Sequence, residues 1–252
     1  MAQYSFGAGV LFARQLTDAS GTAIANPTPI EFGVLQDVTL DVSFDLKQLY
    51  GQNQFPVAMA RGKGKITGKA KAAEINGGLL NGILFGQTLA TGLVGVFKAT
   101  STTTVAATIT VAPPAAGTYQ KDLGVYSATD GKPYTRVASA PALDQYTVNE
   151  ATGAYTFNTG DIGALVYIDY SYTAAAGGVK STVVNLPMGY TPTFSIDLNL
   201  DYNGKKATIQ LPNCTSDKVG IATKLEDFMI PEFSFQAFAD AMGNVMTYSF
   251  TE

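Results

Sequence analysis

The sequence predicts an all-β protein with one short α-helix, and three observations lead to that prediction. Apolar and polar residues alternate over long stretches, which is typical of strands with one buried face. Clusters of Gly, Asn, Asp and Pro separate these stretches, as expected for turns between strands. A single segment, near residues 72–84, has apolar residues at helical spacing. Strand pairing should therefore dominate the fold.

The longest alternating segment, residues 34–46, predicts a strand with one apolar and one acidic face. The even positions are Val34, Gln36, Val38, Leu40, Val42, Phe44 and Leu46, and the odd ones are Asp37, Thr39, Asp41, Ser43 and Asp45. Asp37 and Asp45 would lie about 26 Å apart along such a strand, at about 3.3 Å per residue. That distance excludes one shared metal ion and a catalytic carboxylate pair at about 5–9 Å. A charged strand face is the better interpretation.

A second strand is predicted at residues 62–71, with a basic face. One face carries Lys63, Lys65, Thr67, Lys69 and Lys71, and the other carries Gly62, Gly64, Ile66, Gly68 and Ala70. If the two strands pair, cross-strand ion pairs can form, each contributing at most about 1 kcal/mol. The small residues predict close packing of the next segment, the helix built on Ala72, Ile75, Leu79 and Ile83. A phosphate-binding loop is excluded at Gly68-Lys69, because Ala70 replaces the required Ser or Thr.

Strands are also predicted towards the end of the chain. Residues 194–200 alternate, with Asp197 and Asp201 on the polar face, and a turn at residues 202–205 leads into a partner strand at 207–211. Phe233 and Phe235 mark another strand, residues 240–244 form a turn, and residues 245–251 form the last strand.

The middle of the chain predicts an inserted domain. Short strands rich in Thr, Ala and Tyr include residues 105–111, a hairpin around 149–153 and a strand at 165–172. The flanks, residues 99–104 and 173–178, have the composition of linkers. We therefore predict a discontinuous β-core at residues 1–97 and 180–252, with a small β-sandwich of the Ig-like kind inserted at 98–179.

The composition argues against an enzyme and against a metal or cofactor site. The 252 residues include no His and a single Cys, Cys214, which excludes His-dependent triads, the usual zinc ligand sets and an internal disulfide. Only 14% of residues are charged, which favours a subunit whose faces meet other subunits. The net charge of −4 does not indicate nucleic-acid binding. No membrane span or targeting signal is predicted, so assembly in the cytoplasm is expected.

Two segments leave alternatives open. Residues 47–60 form a long connection with little charge, either a surface loop with a few buried anchors or an interaction loop. The Tyr-rich insert could contact glycans weakly through aromatic stacking, although Tyr is also common in ordinary strands.

The order of these segments resembles the tail-tube proteins of long-tailed, siphovirus-type bacteriophages. The first half carries the two-faced strand, the lysine/glycine strand, the short helix and, between the two strands, the connection Gln48, Leu49, Tyr50, Gly51, Gln52, Asn53, Gln54, Phe55, Pro56 and Val57. The second half carries the run Glu226-Asp227-Phe228-Met229-Ile230-Pro231-Glu232-Phe233 and its continuation to Asp240. The inserted domain resembles the extra β-domains of many virion proteins.

The resemblance implies a structural role in a virion tail. Six subunits would close a ring through a β-sandwich or barrel core, and rings would stack into a tube that conducts genomic DNA during ejection without binding it specifically. Asp37, Asp41, Asp45, Asp197 and Asp201 are then candidates for the lumen face, provided that the lysine row does not share it. The connection at 48–57 would reach the next ring, and the N-terminal arm, residues 1–29, and the C-terminal segment would help lock rings together. Implied partners are the tape-measure, terminator and distal tail proteins.

Other functions remain open from the sequence. A tail terminator or head-decoration protein would share the composition, and a terminator would stop at one ring. A carbohydrate-binding adhesin module led by the insert is a further alternative.

Overall fold

The structure, a computed structural model, describes residues 6–74 and 76–251. Ile75, which belongs to the predicted helical pattern, and the first five residues of the predicted N-terminal arm lie outside the described residues. Strands dominate, which confirms the prediction of an all-β protein with one short helix. The strands are β1 (Val10–Gln15), β2 (Pro29–Glu31), β3 (Leu35–Tyr50), β4 (Pro56–Ala72), β5 (Ala90–Phe97), β6 (Thr103–Thr104), β7 (Thr108–Thr110), β8 (Thr118–Ser127), β9 (Thr135–Arg136), β10 (Gln145–Asn149), β11 (Ala154–Phe157), β12 (Leu165–Lys180), β13 (Phe194–Tyr202), β14 (Lys205–Gly220), β15 (Glu232–Ala237) and β16 (Thr247–Phe250).

The chain divides into two compact units. The first unit comprises Met1–Leu89 and Ser181–Glu252, and the second comprises Ala90–Lys180. The sequence placed the first boundary at residues 97/98, but β5 pairs with β12 and therefore belongs to the second unit. Residues 173–178, predicted as a linker, continue β12. Their small side chains resemble a linker in composition, whereas Thr173 and Ala174 pair with β5 and the pairing resumes at Val179 after an irregular stretch.

One eight-stranded antiparallel sheet forms the first unit, in the order β2-β1-β13-β14-β15-β4-β3, with β16 also paired to β14. Leu11 of β1 and Leu40 of β3 line the same small internal space, although four strands lie between theirs in the sheet. Phe32, which follows the edge strand β2, packs edge-on against Phe233 with ring centroids 5.5 Å apart. The sheet therefore curls on itself and encloses its apolar face as the core.

The close packing over the lysine/glycine strand comes from a neighbouring strand. A Cβ atom on Gly68 would lie only 2.3 Å from the ring of Phe235, which pairs with it across β4 and β15. The sequence assigned this space to the helix, and that assignment is wrong. Apolar side chains of the helical segment instead pack into the core beside β1, β2 and β14.

The helical segment is shorter than predicted. Ala72 ends β4 instead of starting the helix. The side chain of Asn76 accepts hydrogen bonds from the backbone of Gly78 and Leu79 and begins α1, Gly77–Leu80. A π-helical turn, Asn81–Phe85, follows and ends at Gly86, whose φ of 60° suits glycine.

The start of β3 differs from simple alternation. The pairing with β4 shifts between Leu35 and Asp37, so Gln36 forms a β-bulge. Leu35 therefore faces the core together with Val38. Val34 and Gln36, predicted on the apolar face, are exposed instead, and Val34 lies outside the strand with a φ of 48°. One extra residue reverses the phase of a two-residue repeat.

The second unit is a β-sandwich. One sheet has the order β7-β11-β10-β9, and the other has β5-β12-β6 with β8 also on β12. Tyr146, Tyr155 and Phe157 of the first sheet share one core cluster with Val166 and Tyr170 of β12. The hairpin around residues 149–153 is confirmed. The strand predicted at 105–111 is interrupted: residues 108–110 form β7, whereas the buried Val105 hydrogen-bonds through its backbone to Gly163 and Ala164, just before β12.

None of the helices within the described residues combines the length and the apolar character needed to cross a membrane.

Candidate assembly surfaces

A long hairpin arm projects from the curled sheet of the first unit. We define the arm as residues 45–63, the part of β3 and β4 that lies beyond Phe44 and Gly64, its partner in the pairing. The sequence predicted a loop over residues 47–60. That prediction is wrong, since β3 continues to Tyr50 and β4 begins at Pro56, leaving residues 51–55 as the tip.

The arm is apolar and uncovered. Every residue from 41 to 55 is exposed, which contradicts the alternative of a loop with buried anchors. Large apolar side chains that are more than half exposed are Leu46, Leu49, Tyr50, Phe55, Val57 and Met59. Because side chains alternate along a strand, Leu46 and Leu49 point to opposite faces. A two-stranded ribbon is at best marginally stable alone, and exposed apolar groups on both of its faces are typical of an interaction surface.

A second assembly feature is the free edge of β3. This strand is 16 residues long and ends the sheet order, with β4 as its one paired neighbour among the described residues. Its outer backbone N–H and C=O groups are therefore available to another strand. Long uncovered edges promote pairing between chains unless something blocks them.

The acidic and basic rows share one face of the sheet. Asp37 pairs with Lys71, Thr39 with Lys69 and Ser43 with Lys65, and side chains of paired residues lie on the same face. The Lys71 amine is 3.8 Å from the Asp37 carboxylate and 3.6 Å from that of Glu232. Asp41 and Asp45 follow by alternation. This face of β3, β4 and β15 is of mixed charge, and its exposed ion pairs contribute at most about 1 kcal/mol each.

The five aspartates predicted for one face do not all point the same way. Asp197 and Asp201 lie on β13, whose apolar side chains meet those of β3 across the core. Because the sheet curls, the polar faces of β13 and β3 point away from each other. Asp197 accepts a 2.7 Å hydrogen bond from Gln210, and Asp201 lies 3.9 Å from Lys206. The structure therefore groups Asp37, Asp41 and Asp45 with the lysines and separates the other two.

The second unit contains a buried polar network around Asp122. Its carboxylate, 5% exposed, accepts hydrogen bonds from the hydroxyls of Tyr146 at 2.8 Å and Tyr155 at 3.0 Å, and lies 3.7 Å from Arg136. Burial, followed by the hydrogen bond to Asp122, raises the pKa of the Tyr146 hydroxyl, so that it stays a neutral donor. Burial also raises the pKa of Tyr119 to about 12. The network joins both sheets of the sandwich and is structural in character.

Replacing Asp122 with Ala is expected to lower the free energy of unfolding of the second unit by about 3 kcal/mol, because two buried hydroxyls lose a charged acceptor. Hydrogen exchange measured by mass spectrometry on the full chain will detect faster exchange in β8, β10 and β11. Asp130→Ala, which alters an exposed turn carboxylate, is the matched control and should leave exchange in these strands unchanged. Equal protection in Asp122→Ala would contradict the role assigned to the network.

The tyrosines of the second unit are buried or half-buried, and four of them form part of its core. Tyr119, Tyr146, Tyr155 and Tyr170 are buried in the aromatic cluster. The remaining tyrosines of this unit are half-buried. A flat exposed tyrosine surface on which a sugar ring would stack is therefore not formed by the described residues. The weak glycan contact that the sequence left open stays a prediction.

The other groups that could carry chemistry, namely clusters of metal-ligating side chains, Cys214 and Asp169, were also compared with their surroundings in the fold. Among the described residues, no group of three or more Cys, Asp or Glu side chains is arranged to hold a metal ion. Cys214 is fully buried opposite Phe194 and Ala237, and burial raises the pKa of its thiol to about 12. The carboxylate of Asp169, 6% exposed, is paired with the Lys98 amine at 2.5 Å.

Sequence reasoning missed two features near these surfaces. Leu225 and Phe228 are 99% and 88% exposed in the segment between β14 and β15. An apolar groove opens beside Val42 and Phe44 at the base of the arm. Strand alternation predicted the faces of Val42 and Phe44 but not where the core ends. The exposure of Leu225 and Phe228 depends on a turn that no periodic pattern marks.

Comparison with known proteins does not assign the chain to a family. No protein-family model matches it, and no curated protein is significantly similar in sequence.

Proposed function

We infer that this chain is a structural subunit that polymerises into the tail tube of a long-tailed bacteriophage. The arm is the observation that carries the proposal. Its exposed apolar side chains, on both faces of a two-stranded ribbon, lack cover within the first unit. Contact with another subunit would remove this apolar surface from water at about 25 cal/mol per Å². In the proposed tube, the arm of each subunit lies against the next ring.

Ring closure in this proposal uses the free edge of β3. A neighbouring copy that adds a strand to this edge would extend the sheet from subunit to subunit, and a rotation that closes removes every edge. The length of β3, 16 residues, provides many backbone groups for such pairing. The resemblance described above implies six subunits in each ring.

The proposed lumen wall is the polar face of β3, β4 and β15, because these strands adjoin the free edge. On this face, carboxylates and amines alternate, as in the pairs Asp37–Lys71 and Glu232–Lys69. Alternating charges avoid a strongly positive wall to which DNA would bind. Genomic DNA would then pass through without specific binding, in a tube located in the virion tail. Asp197 and Asp201 would lie outside the lumen.

Negative-stain electron microscopy of the purified full chain at high concentration, with a sizing column, tests the proposal. Hollow tubes or stacked rings with six-fold end views are the expected result. Single rings that never stack would overturn the tube and favour a terminator. A chain that stays monomeric, both alone and when preformed tail tips are added to start assembly, would overturn the assembly role itself.

A further inference from the structure

Three Asn-Gly pairs occur in the chain, at Asn76-Gly77, Asn81-Gly82 and Asn203-Gly204. In such a pair the backbone nitrogen of the glycine can attack the side-chain amide carbon of the asparagine, because glycine has no Cβ atom to obstruct the approach. The attack closes a five-membered succinimide ring and expels ammonia. Water then opens the ring at either carbonyl and leaves aspartate or isoaspartate, so that an amide and water become a carboxylate and ammonium.

The first pair is held by a helix cap. The side-chain oxygen of Asn76 accepts hydrogen bonds from the backbone of Gly78 at 2.8 Å and of Leu79 at 3.2 Å, and so begins α1. The side chain has to turn away from both donors before its amide carbon can meet the nitrogen of Gly77. Because two hydrogen bonds break in this step, the reaction is slowed here by about tenfold or more.

The second pair is buried. Asn81 is 5% exposed, and Gly82 is buried within the π-helical turn. The side-chain amide of Asn81 donates to the backbone carbonyl of Gln87 at 2.6 Å, and its oxygen accepts from the Gln87 N–H at 3.1 Å. Both the rotation of this side chain and the entry of the water that opens the ring therefore require the segment to unfold.

The third pair forms the exposed turn between β13 and β14. Tyr202 pairs with Lys205, so Asn203 and Gly204 are the two residues of the turn, and both are exposed. A Cβ atom on Gly204 would meet nothing within 4 Å, so the space beside its backbone is open to water. The hydrogen bond that closes such a turn joins the flanking residues and leaves the Gly204 N–H free. Among the described residues, the side-chain hydrogen bonds of this hairpin lie further from the turn and leave the amide of Asn203 free.

This turn can also open without disturbing the rest of the sheet. On one side of the hairpin, β1 pairs with β13 only as far as Asn199, and on the other side Thr251 bonds to the backbone of Lys206. The tip beyond these residues has no neighbouring strand in the part of the chain that the structure describes. Local opening at such a tip costs little free energy compared with global unfolding. It lets Asn203 leave its left-handed conformation, φ 53°, and bring the two reacting atoms together.

We propose that Asn203 is a site of spontaneous deamidation in the folded protein, through attack of the Gly204 nitrogen on its side-chain amide carbon, and that Asn76 and Asn81 are protected. Water is the only co-reactant, and no enzyme is required. The fold thus selects one of three chemically equivalent pairs by exposure and by hydrogen bonding. The site does not depend on the proposed tube.

The modification has a structural consequence at the turn. Isoaspartate adds one carbon to the backbone of a two-residue turn, so Tyr202 and Lys205 can no longer stay opposite each other. The ring of Tyr202 packs against that of Phe6 at a centroid distance of 6.0 Å. We expect both the end of the hairpin and this contact to loosen as the protein ages.

Ageing of the purified full chain at mildly alkaline pH tests the site. Samples are digested at mildly acidic pH, where the reaction is slow, and the peptides are compared by tandem mass spectrometry. The peptide with Asn203 is expected to gain the mass of an amide-to-acid exchange about tenfold faster, or more, than the peptides with Asn76 and Asn81. Isoaspartate should be among its products. In urea, where the fold is lost, all three peptides should react at similar rates.

Each contrary result would overturn the proposal. If Asn203 is stable in the folded chain but reacts in urea, the turn protects it. Equal rates at the three pairs in the folded chain would show that the fold does not select among them. Aspartate formed without isoaspartate would rule out the succinimide ring.

The variant Asn203→Gly provides a matched control. It removes the amide and keeps the turn, because Gly-Gly also suits a two-residue hairpin. Hydrogen exchange in residues 200–206 is expected to be faster in aged than in fresh wild-type protein, and unchanged by ageing in Asn203→Gly. Equal acceleration in both aged proteins would contradict the consequence assigned to Asn203.

Discussion

Replacing residues 48–59 with an Asn-Gly turn, which keeps Lys47 paired with Ala60, is expected to abolish tube formation and leave the first unit folded. The apolar residues removed are exposed and pack against nothing in the core, so the melting temperature should change by less than about 2 °C. Polymerisation should fall below detection, because the shortened hairpin ends near the closed core and no longer reaches another subunit. Electron microscopy and sedimentation of the variant beside the wild-type chain will measure the loss.

Two full-length variants separate the chemistry of the arm from its length. Leu49→Ser/Phe55→Ser/Met59→Ser removes apolar groups that are more than half exposed, and it should reduce polymer yield strongly. Gln48→Ser/Gln52→Ser/Gln54→Ser changes polar residues of the same arm and should assemble much like wild type. Tubes of normal length and yield from the shortened arm would remove the main support for the proposed stacking role.

Phe235→Ala is expected to lower the free energy of unfolding by about 4 kcal/mol, within the range for a buried Phe. The ring is 4% exposed, packs over Gly68 and contacts Phe194 at a centroid distance of 6.5 Å. Its loss leaves a cavity between β4 and β15, and Gly68 has no side chain with which to fill it. Urea denaturation followed by circular dichroism will measure the change, with the exposed Phe250→Ala as the control of small effect.

A double-mutant cycle makes this prediction specific. Gly68→Ala alone should destabilise the protein, because its Cβ would meet the Phe235 ring at 2.3 Å. In the Phe235→Ala background the same methyl group enters the cavity, so its effect should reverse sign. If the losses of the two single variants simply add in the double variant Gly68→Ala/Phe235→Ala, the ring does not occupy the space above Gly68.

The alternation of apolar and polar residues was sufficient to predict individual strands. Phe194, Ile196 and Leu198 alternate with polar residues, and β13 buries these three side chains. Asn203 and Gly204 have positive φ angles of 53° and 72°, as the turn residues predict for a tight hairpin between β13 and β14. These features are local, because side-chain alternation and turn geometry depend on neighbouring residues.

Bulges and strand extension were not predictable in the same way. Gln36 bulges because β3 and β4 must stay paired on both sides of it, which depends on the register of both strands. The arm contains Gly51, Asn53 and Pro56, which are typical of loops, and yet the strands continue close to this tip. Backbone pairing that starts at Phe44 and Gly64 extends outward, and no core packing is needed to hold it.

For the candidate surfaces, too, local patterns were predictable from the sequence and long-range relations were not. The sequence by itself determined that acidic residues share one face of β3 and lysines one face of β4, because each row depends only on alternation. Only the tertiary structure decided that both rows lie on the same face, through the strand register. It also decided that Asp197 and Asp201 point away from them, because the sheet curls. These relations join residues far apart in sequence, and long-range packing, not local periodicity, sets them.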